Sequence, residues 1–137
     1  MRLEPLYRIV FSYSESYRAA DEWLLIGEGR CEGSLSGRFR CVNRPRRRPD
    51  GTFVPDLDAA VETDDGATVL LRLTGRGDPQ AEPAGRVAVA LRHVADDERY
   101  AWLDGAIGAG TGEVRDRTIV LDVAEVVWEP LGDTINA

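Results

Sequence analysis

Apolar and polar residues alternate along most of the chain with a period of two, which is typical of β-strands. Residues 3–13 predict a first strand, and one of its faces carries mostly aromatic side chains: Tyr7, Ile9, Phe11 and Tyr13. The polar residues 14–21 predict a loop. The apolar run that starts at Trp23 predicts a second strand, which continues into a glycine-rich stretch.

Five more segments show the same alternation: residues 38–42, 52–63, 67–75, 86–94 and 118–128. Asp64-Asp65-Gly66 predicts a hairpin turn between two of them. In residues 86–94, His93 falls in phase with Val87, Val89 and Leu91. In residues 118–128, Glu125 falls among apolar side chains, so it lies either at a strand end near water or in a pocket that raises its pKa.

Glycines recur in the stretch into which the second strand runs, at Gly27, Gly29, Gly33 and Gly37. Such glycines mark bulges, bends or close backbone approach, which are the features that curl a sheet. Since no long amphipathic helix is predicted, the fold class is all-β, as an antiparallel sandwich or barrel.

The segment 96–112 differs from the rest because Tyr100, Trp102 and Leu103 fall within four residues of one another. An exposed tight turn does not need these side chains. We therefore expect a short helical segment near residues 96–104 that folds onto the core and plugs it. The glycines that follow lack the pattern of a phosphate-binding loop and favour a short strand and turn.

Two further features leave alternatives open. A hairpin turn near residues 34–37 would place Cys31 roughly opposite Cys41, as two small packing residues or, less in keeping with the spacing, as a redox pair. The loop of residues 43–51 contains Arg44, Arg46, Arg47 and Arg48. It is interpreted as a solvated loop, with contact to a polyanion or a partner, or a lid over a pocket, as alternatives.

The composition narrows the classes of partner. At 137 residues the chain is expected to form one domain, residues 1–137, and its net charge of −7 argues against nucleic acid or an anionic membrane surface. No apolar run of membrane-spanning length and no signal-peptide-like segment is present, so a cytoplasmic location with reduced cysteines is expected. One histidine and two cysteines do not suggest a metal site, and no motif suggests a cofactor.

Three stretches in order resemble a known family. They are a glycine-spaced stretch (Gly29, Gly33, Gly37), a T-x-D-G-A motif (Thr63, Asp65, Gly66, Ala67) and a Y-x-W-L segment (Tyr100, Trp102, Leu103). With the opening LEPLYRIVF, this order resembles the domain of unknown function 3237, also called uncharacterised protein family 0311. The resemblance covers nearly the whole chain, and Asp104 stands where the family tends to Asn.

The resemblance implies a small closed antiparallel β-barrel of lipocalin-like type with a central cavity, often dimeric, and no established catalytic set. One departure is the arginine loop, which stands where many members have a Gly-Gly-Ala-Asp-Trp stretch. Asp56 falls where members place an acidic residue, and that position alone is carried over as a candidate.

A barrel of this size holds one small ligand or fills itself with side chains. One hypothesis is a cofactor-independent enzyme that carries out acid–base chemistry, such as isomerisation, hydration or cyclisation, on a small hydrophobic molecule. His93 or Asp56 is then the catalytic base, and Arg40 or Arg72 stabilises an oxyanion. The candidate ligand-binding residues are Tyr7, Trp23, Arg40, Arg72, Trp102 and Glu125. The alternatives are a non-catalytic carrier of a hydrophobic ligand and a structural dimer with a filled barrel.

Overall fold

The computed structural model describes residues 1–133, and within this range eight strands pair edge to edge into a closed antiparallel barrel. The elements are β1 Arg2–Ala19, β2 Glu22–Gly33, β3 Gly37–Asn43, β4 Arg46–Arg47, β5 Phe53–Val54, β6 Asp56–Thr63, β7 Thr68–Asp78, β8 Gly85–Val94, α1 Ala101–Asp104, β9 Ile107–Arg115 and β10 Thr118–Val127. Around the barrel the order is β1-β2-β3-β6-β7-β8-β9-β10, and β10 returns to β1. The short β4–β5 hairpin joins the edge of β7.

The alternation seen in the sequence becomes the inside and the outside of the barrel. Side chains on the inward face of successive strands are fully buried, and together they form a single core: Ile9, Cys31, Phe39, Val61, Val69 and Leu71. Their neighbours in sequence point outward and carry most of the charges. A closed barrel has no long unpaired edge, which removes a site of aggregation.

Neighbouring strands approach each other so closely at Gly29 and Gly112 that no side chain fits there. A Cβ at Gly29 would overlap the carbonyl oxygen of Val10 on β1, and a Cβ at Gly112 would overlap that of Val120 on β10. Backbone atoms cannot move aside as the tip of a side chain can. These positions therefore favour glycine, in agreement with the close backbone approach expected from the glycine spacing.

The expected loop at residues 14–21 is wrong. β1 continues through Ala19 and pairs with β2 as far as Glu22, with a bulge between Tyr13 and Glu15. This part of the hairpin extends beyond the other strands and is largely exposed, so it has no buried face that would impose an alternating pattern. Its polar composition therefore predicted a loop where the structure has a strand.

The expected position of Cys31 opposite Cys41 is also wrong. Cys31 pairs with Gly37 and Cys41 pairs with Gly27, so the two thiols lie at different levels of the β2–β3 hairpin. Both cysteines are free and buried. Burial raises the pKa of each thiol to about 12. They act as small packing residues.

The helix α1 closes one end of the barrel. It lies between β8 and β9, and its Leu103 is fully buried in the core. Trp102, in contrast, is 48% exposed, so the side chain that plugs the barrel is Leu103. We call this end, which contains Tyr7 and His93, the plugged end. We call the opposite end, with Tyr13 and Asn43, the open end.

Candidate ligand cavity

The open end of the barrel contains a cavity of about 210 Å³. It is bordered by every strand of the barrel and by the β4–β5 hairpin. Most of the lining is apolar and comes from these residues: Phe11, Leu25, Pro45, Phe53, Pro55, Leu57, Leu73, Val87, Val89, Val114, Ile119 and Leu121. Tyr13, Trp23, Asn43, Gly77, Asp78, Pro79 and Arg86 complete it. Such a lining favours a ligand that is mostly hydrocarbon.

The inward positions of β7 carry smaller residues toward this end, which leaves space for the cavity. Gly77 on β7 lines the cavity, and a Cβ at this position would have no atom within 4 Å. The preceding inward positions along the same strand are Gly75, which also has no side chain, and Leu73, which is almost completely buried. The core therefore ends near Leu73, and the space continues beyond it.

One polar pair lies in this apolar wall. The side-chain amide of Asn43 donates from Nδ2 to the Tyr13 hydroxyl at 2.9 Å, and its Oδ1 accepts from the backbone N–H of Asp56 at 3.0 Å. Asn43 is only 4% exposed. Burial raises the pKa of Tyr13 to about 12, against a smaller lowering by the Asn43 hydrogen bond, so the phenol keeps its proton at neutral pH.

Two aromatic rings form part of the cavity wall near the β4–β5 hairpin. Trp23 packs edge-on against Phe53 with ring centroids 6.2 Å apart. The Arg18 guanidinium lies over the Trp23 ring, 5.3 Å from its centroid. These contacts hold the Trp23 ring against the hairpin and make it a wall for a flat ligand.

Of the six candidate ligand-binding residues, Trp23 lines this cavity and the other five do not. Tyr7 and His93 lie at the plugged end, where the Tyr7 hydroxyl and His93 Nε2 are 2.6 Å apart. His93 is 1% exposed, and its Nδ1 is 3.3 Å from the carbonyl oxygen of Ala106. The Ala106 carbonyl can only accept, so Nδ1 carries the proton and Nε2 accepts from Tyr7.

The neutral form of His93 is the one that this environment favours. Burial lowers the pKa of His93, and the Ala106 carbonyl and the nearby Glu125 carboxylate oppose that shift only in part. Burial likewise raises the pKa of Tyr7 far above its ordinary value. Both groups are satisfied by each other, so this pair has the character of a structural core contact.

Glu125 and Trp102 also lie toward the plugged end. Glu125 is half-buried on β10, opposite Glu4 on β1 and Gly108 on β9. Trp102 is half-exposed on α1. Neither residue reaches the cavity.

The remaining candidates lie on the outer surface of the barrel. Asp56, Arg40 and Arg72 are all exposed. Arg72 pairs with Asp58 on the neighbouring strand, with Nε and Oδ1 3.1 Å apart. His93, Asp56 and the two arginines therefore do not come together around one substrate.

Sequence reasoning did not single out several residues of the cavity. Tyr13 shares the aromatic face of β1 with Tyr7 and Phe11, and that phase was a usable signal. Asn43 and Pro45 belong to the arginine loop of residues 43–51, which has no periodicity. The four arginines of that loop are exposed, while its Pro45 borders the cavity. Phe53 lies near the start of the predicted strand 52–63, but nothing in the alternation marked it as a cavity residue.

Residues 1–133 contain no group of three or more histidine, cysteine or acidic side chains arranged to hold a metal ion. Among the helices in the same range, none is long and apolar enough to cross a membrane.

Solved structures with this fold were found by comparison. A β-barrel-like protein from Acinetobacter baumannii has a TM-score of 0.81 and 20% identity, over 90% of this chain and 94% of that one. A protein of unknown function from Rhodopseudomonas palustris also has a TM-score of 0.81, with 19% identity over 92% and 97% of the two chains. An enzyme from Penicillium herquei has a TM-score of 0.67 and 21% identity, over 92% and 94%.

These similarities establish the fold of the chain. No protein-family model matches the chain, and no curated protein matches it.

Proposed function

We propose that this protein binds a small, mostly apolar organic molecule in the cavity at the open end. The observation that carries the proposal is the cavity itself, an apolar space of about 210 Å³ in a barrel whose other end is packed with buried side chains. The side chains that line such a cavity lack the dispersion contacts that a packed core provides. An apolar ligand that fills the cavity supplies those contacts and is itself transferred out of water.

The size of the cavity limits the ligand. An apolar cavity of roughly 150 Å³ accommodates benzene in a well-studied engineered lysozyme, so a single substituted ring fits here. Longer molecules would extend toward the mouth, where the side chains of Asp78 and Arg86 meet solvent.

The test is a substitution in the cavity wall whose new side chain fills the cavity. In Gly77→Phe the new side chain starts in open space, so it should occupy the cavity without disturbing the strands. We expect wild-type protein to show saturable shifts in a two-dimensional NMR titration with isopropenylbenzene, and Gly77→Phe to show none. Gly105→Phe is the matched control, because a Cβ at Gly105 also meets nothing and the residue lies beside α1, away from the cavity. The proposal would be contradicted if Gly77→Phe showed saturable shifts as Gly105→Phe does. It would also be contradicted if neither the wild-type protein nor either variant showed them.

A second candidate function is catalysis on the same ligand class, and the observation that favours it is the enzyme from Penicillium herquei that shares the fold. Acid–base chemistry, as an isomerase, hydratase or cyclase, remains the type of reaction expected. Its test is turnover in the double variant His93→Gln, Asp56→Asn. Unchanged turnover would exclude these two residues as the catalytic base. The base would then be sought among the groups that line the cavity.

Three properties expected from the sequence are kept as proposals. Membership of the domain of unknown function 3237 family is supported by the order of its motifs and by the barrel. A homodimer is expected from the same resemblance, and sedimentation of the purified chain tests it. A cytoplasmic location rests on the sequence alone.

A further inference from the structure

The Tyr13–Asn43 pair has a direction that can be worked out from its hydrogen bonds. Asn43 Oδ1 accepts from the N–H of Asp56, so the side-chain amide is oriented with its NH2 group toward Tyr13. The Asn43 NH2 group can only donate, so the Tyr13 oxygen is the acceptor of that hydrogen bond. The hydrogen of the Tyr13 hydroxyl is left for another partner.

Within residues 1–133 no acceptor takes that hydrogen, since the Asn43 contact is the only hydrogen bond that the structure gives to the Tyr13 hydroxyl. The ring lies on the inward face of β1, edge-on to Phe11 at a centroid distance of 5.5 Å, and it lines the cavity. A hydroxyl in an apolar wall with an unused hydrogen is costly unless a bound molecule or water accepts it.

From this geometry we infer that the Tyr13 hydroxyl donates a hydrogen bond to an uncharged carbonyl oxygen of the ligand, so the cavity selects small aromatic or alicyclic carbonyl compounds. The inference rests on the proposed binding function and adds the polar group that the ligand carries. A neutral oxygen is favoured over a carboxylate because the surrounding wall is apolar and the arginine of the lining, Arg86, is solvent-exposed.

The experiment compares two ligands with the same arrangement of heavy atoms, acetophenone and isopropenylbenzene, in which C=O is replaced by C=CH2. Dissociation constants are measured by NMR titration of wild type and Tyr13→Phe. Loss of one neutral hydrogen bond is expected to weaken acetophenone binding by about three- to tenfold. Binding of isopropenylbenzene should stay within about twofold, since it makes no such bond. The hydrocarbon therefore also reports that the variant has kept its fold and its cavity.

A spectroscopic measurement makes the assignment direct. The carbonyl stretching band of bound acetophenone should move to lower wavenumber in wild type than in Tyr13→Phe, because a donated hydrogen bond weakens the C=O bond. Equal loss of affinity for both ligands, or an unshifted band, would overturn the inference and leave the binding function standing. If neither ligand bound to wild type, the inference and the binding function would fail together.

Discussion

The two ends of the barrel are built from the same alternating strands, yet they differ in how completely their polar side chains are hydrogen-bonded. At the plugged end, His93 and Tyr7 satisfy each other, and the Ala106 carbonyl accepts the remaining ring N–H. At the open end, the half-buried Tyr13 lines the cavity and accepts from Asn43, and within residues 1–133 its hydroxyl has no second hydrogen-bond partner. A polar group that lines a cavity with incomplete hydrogen bonds therefore suggests a binding role, whereas a buried polar group whose hydrogen bonds are complete does not.

The segments that close the two ends differ as well. The plugged end is closed by α1, which is held in place by Asp65 of the β6–β7 turn, the acidic residue of the T-x-D-G-A motif. The open end is bordered by the β4–β5 hairpin, which pairs with the barrel through a single position, Phe53 with Gly77. The motifs that produced the family resemblance thus lie largely at the plugged end, where they hold the structure together.

The largest expected effect concerns packing at the two ends. Leu103→Ala should lower the free energy of unfolding by about 2–5 kcal/mol, because it removes a fully buried side chain and leaves a void. Leu25→Ala at the open end should cost less than half as much, since Leu25 is half-buried and already borders a cavity. Urea denaturation of both variants measures the difference. Equal losses would mean that the open end is packed as tightly as the plugged end.

The sequence predicted the barrel well because its inward faces are apolar over most strands. The alternation in residues 86–94 and 118–128 grouped Val89 with Leu91 and Leu121 with Val123 on one face of each strand, and these faces are buried. The helical segment and the hairpin turn at Asp64-Asp65-Gly66 also agree with the structure. Each of these features is local, so a short stretch of sequence contains it.

The cavity was less predictable because it forms only when the strands close into a barrel. Strand phase groups His93 with apolar residues, but it does not say at which end of the barrel His93 lies, and the two ends have different chemistry. Arg40 and Arg72 have the opposite phase to their buried neighbours and lie outside. Asn43 acquires its role only from its hydrogen bonds to Tyr13 and Asp56, which a sequence without periodicity in that region does not reveal.

The next effect in size is a pH dependence that belongs to the plugged end. The folded state lowers the pKa of His93, so below the unfolded value of about 6.5 the unfolded chain binds more protons than the folded one. Stability contributed by neutral His93 is therefore complete above that pH and is lost as the pH falls through it. The slope is at most about 1.4 kcal/mol per pH unit for one proton.

The measurement is the free energy of unfolding of wild type and His93→Gln between pH 5 and 7. The variant should be less stable at pH 7 and less dependent on pH. Aspartates with lowered pKa, such as Asp65 and Asp122, act in the same direction at more acidic pH, and they are shared by both proteins. Parallel curves would show that His93 is protonated equally in the folded and unfolded chains.

The smallest expected effect is local and concerns how α1 is held. The Tyr100 hydroxyl donates to Asp65 Oδ1 at 2.8 Å, and Arg99 donates to the Asp65 carbonyl at 2.7 Å. Tyr100→Phe removes the first link and keeps the second. We expect the plug to open more often while global stability changes little, because the tyrosine–aspartate bond lies near solvent, where its net contribution is small.

Amide hydrogen exchange separates local opening from global unfolding. The N–H of Leu103 donates to the Tyr100 carbonyl and that of Ala106 to the Leu103 carbonyl, so both should exchange several-fold faster in Tyr100→Phe. Tyr17→Phe is the matched control, since Tyr17 also donates to a carboxylate, Glu15 at 2.9 Å, but lies on the exposed part of the β1–β2 hairpin. If both variants left these amides unchanged, the hydrogen bond from Tyr100 to Asp65 would not be needed to hold the plug. If Tyr100→Phe also accelerated amide exchange in the strands around Tyr13, the two ends of the barrel would open together. The comparison of two separate ends would then be wrong.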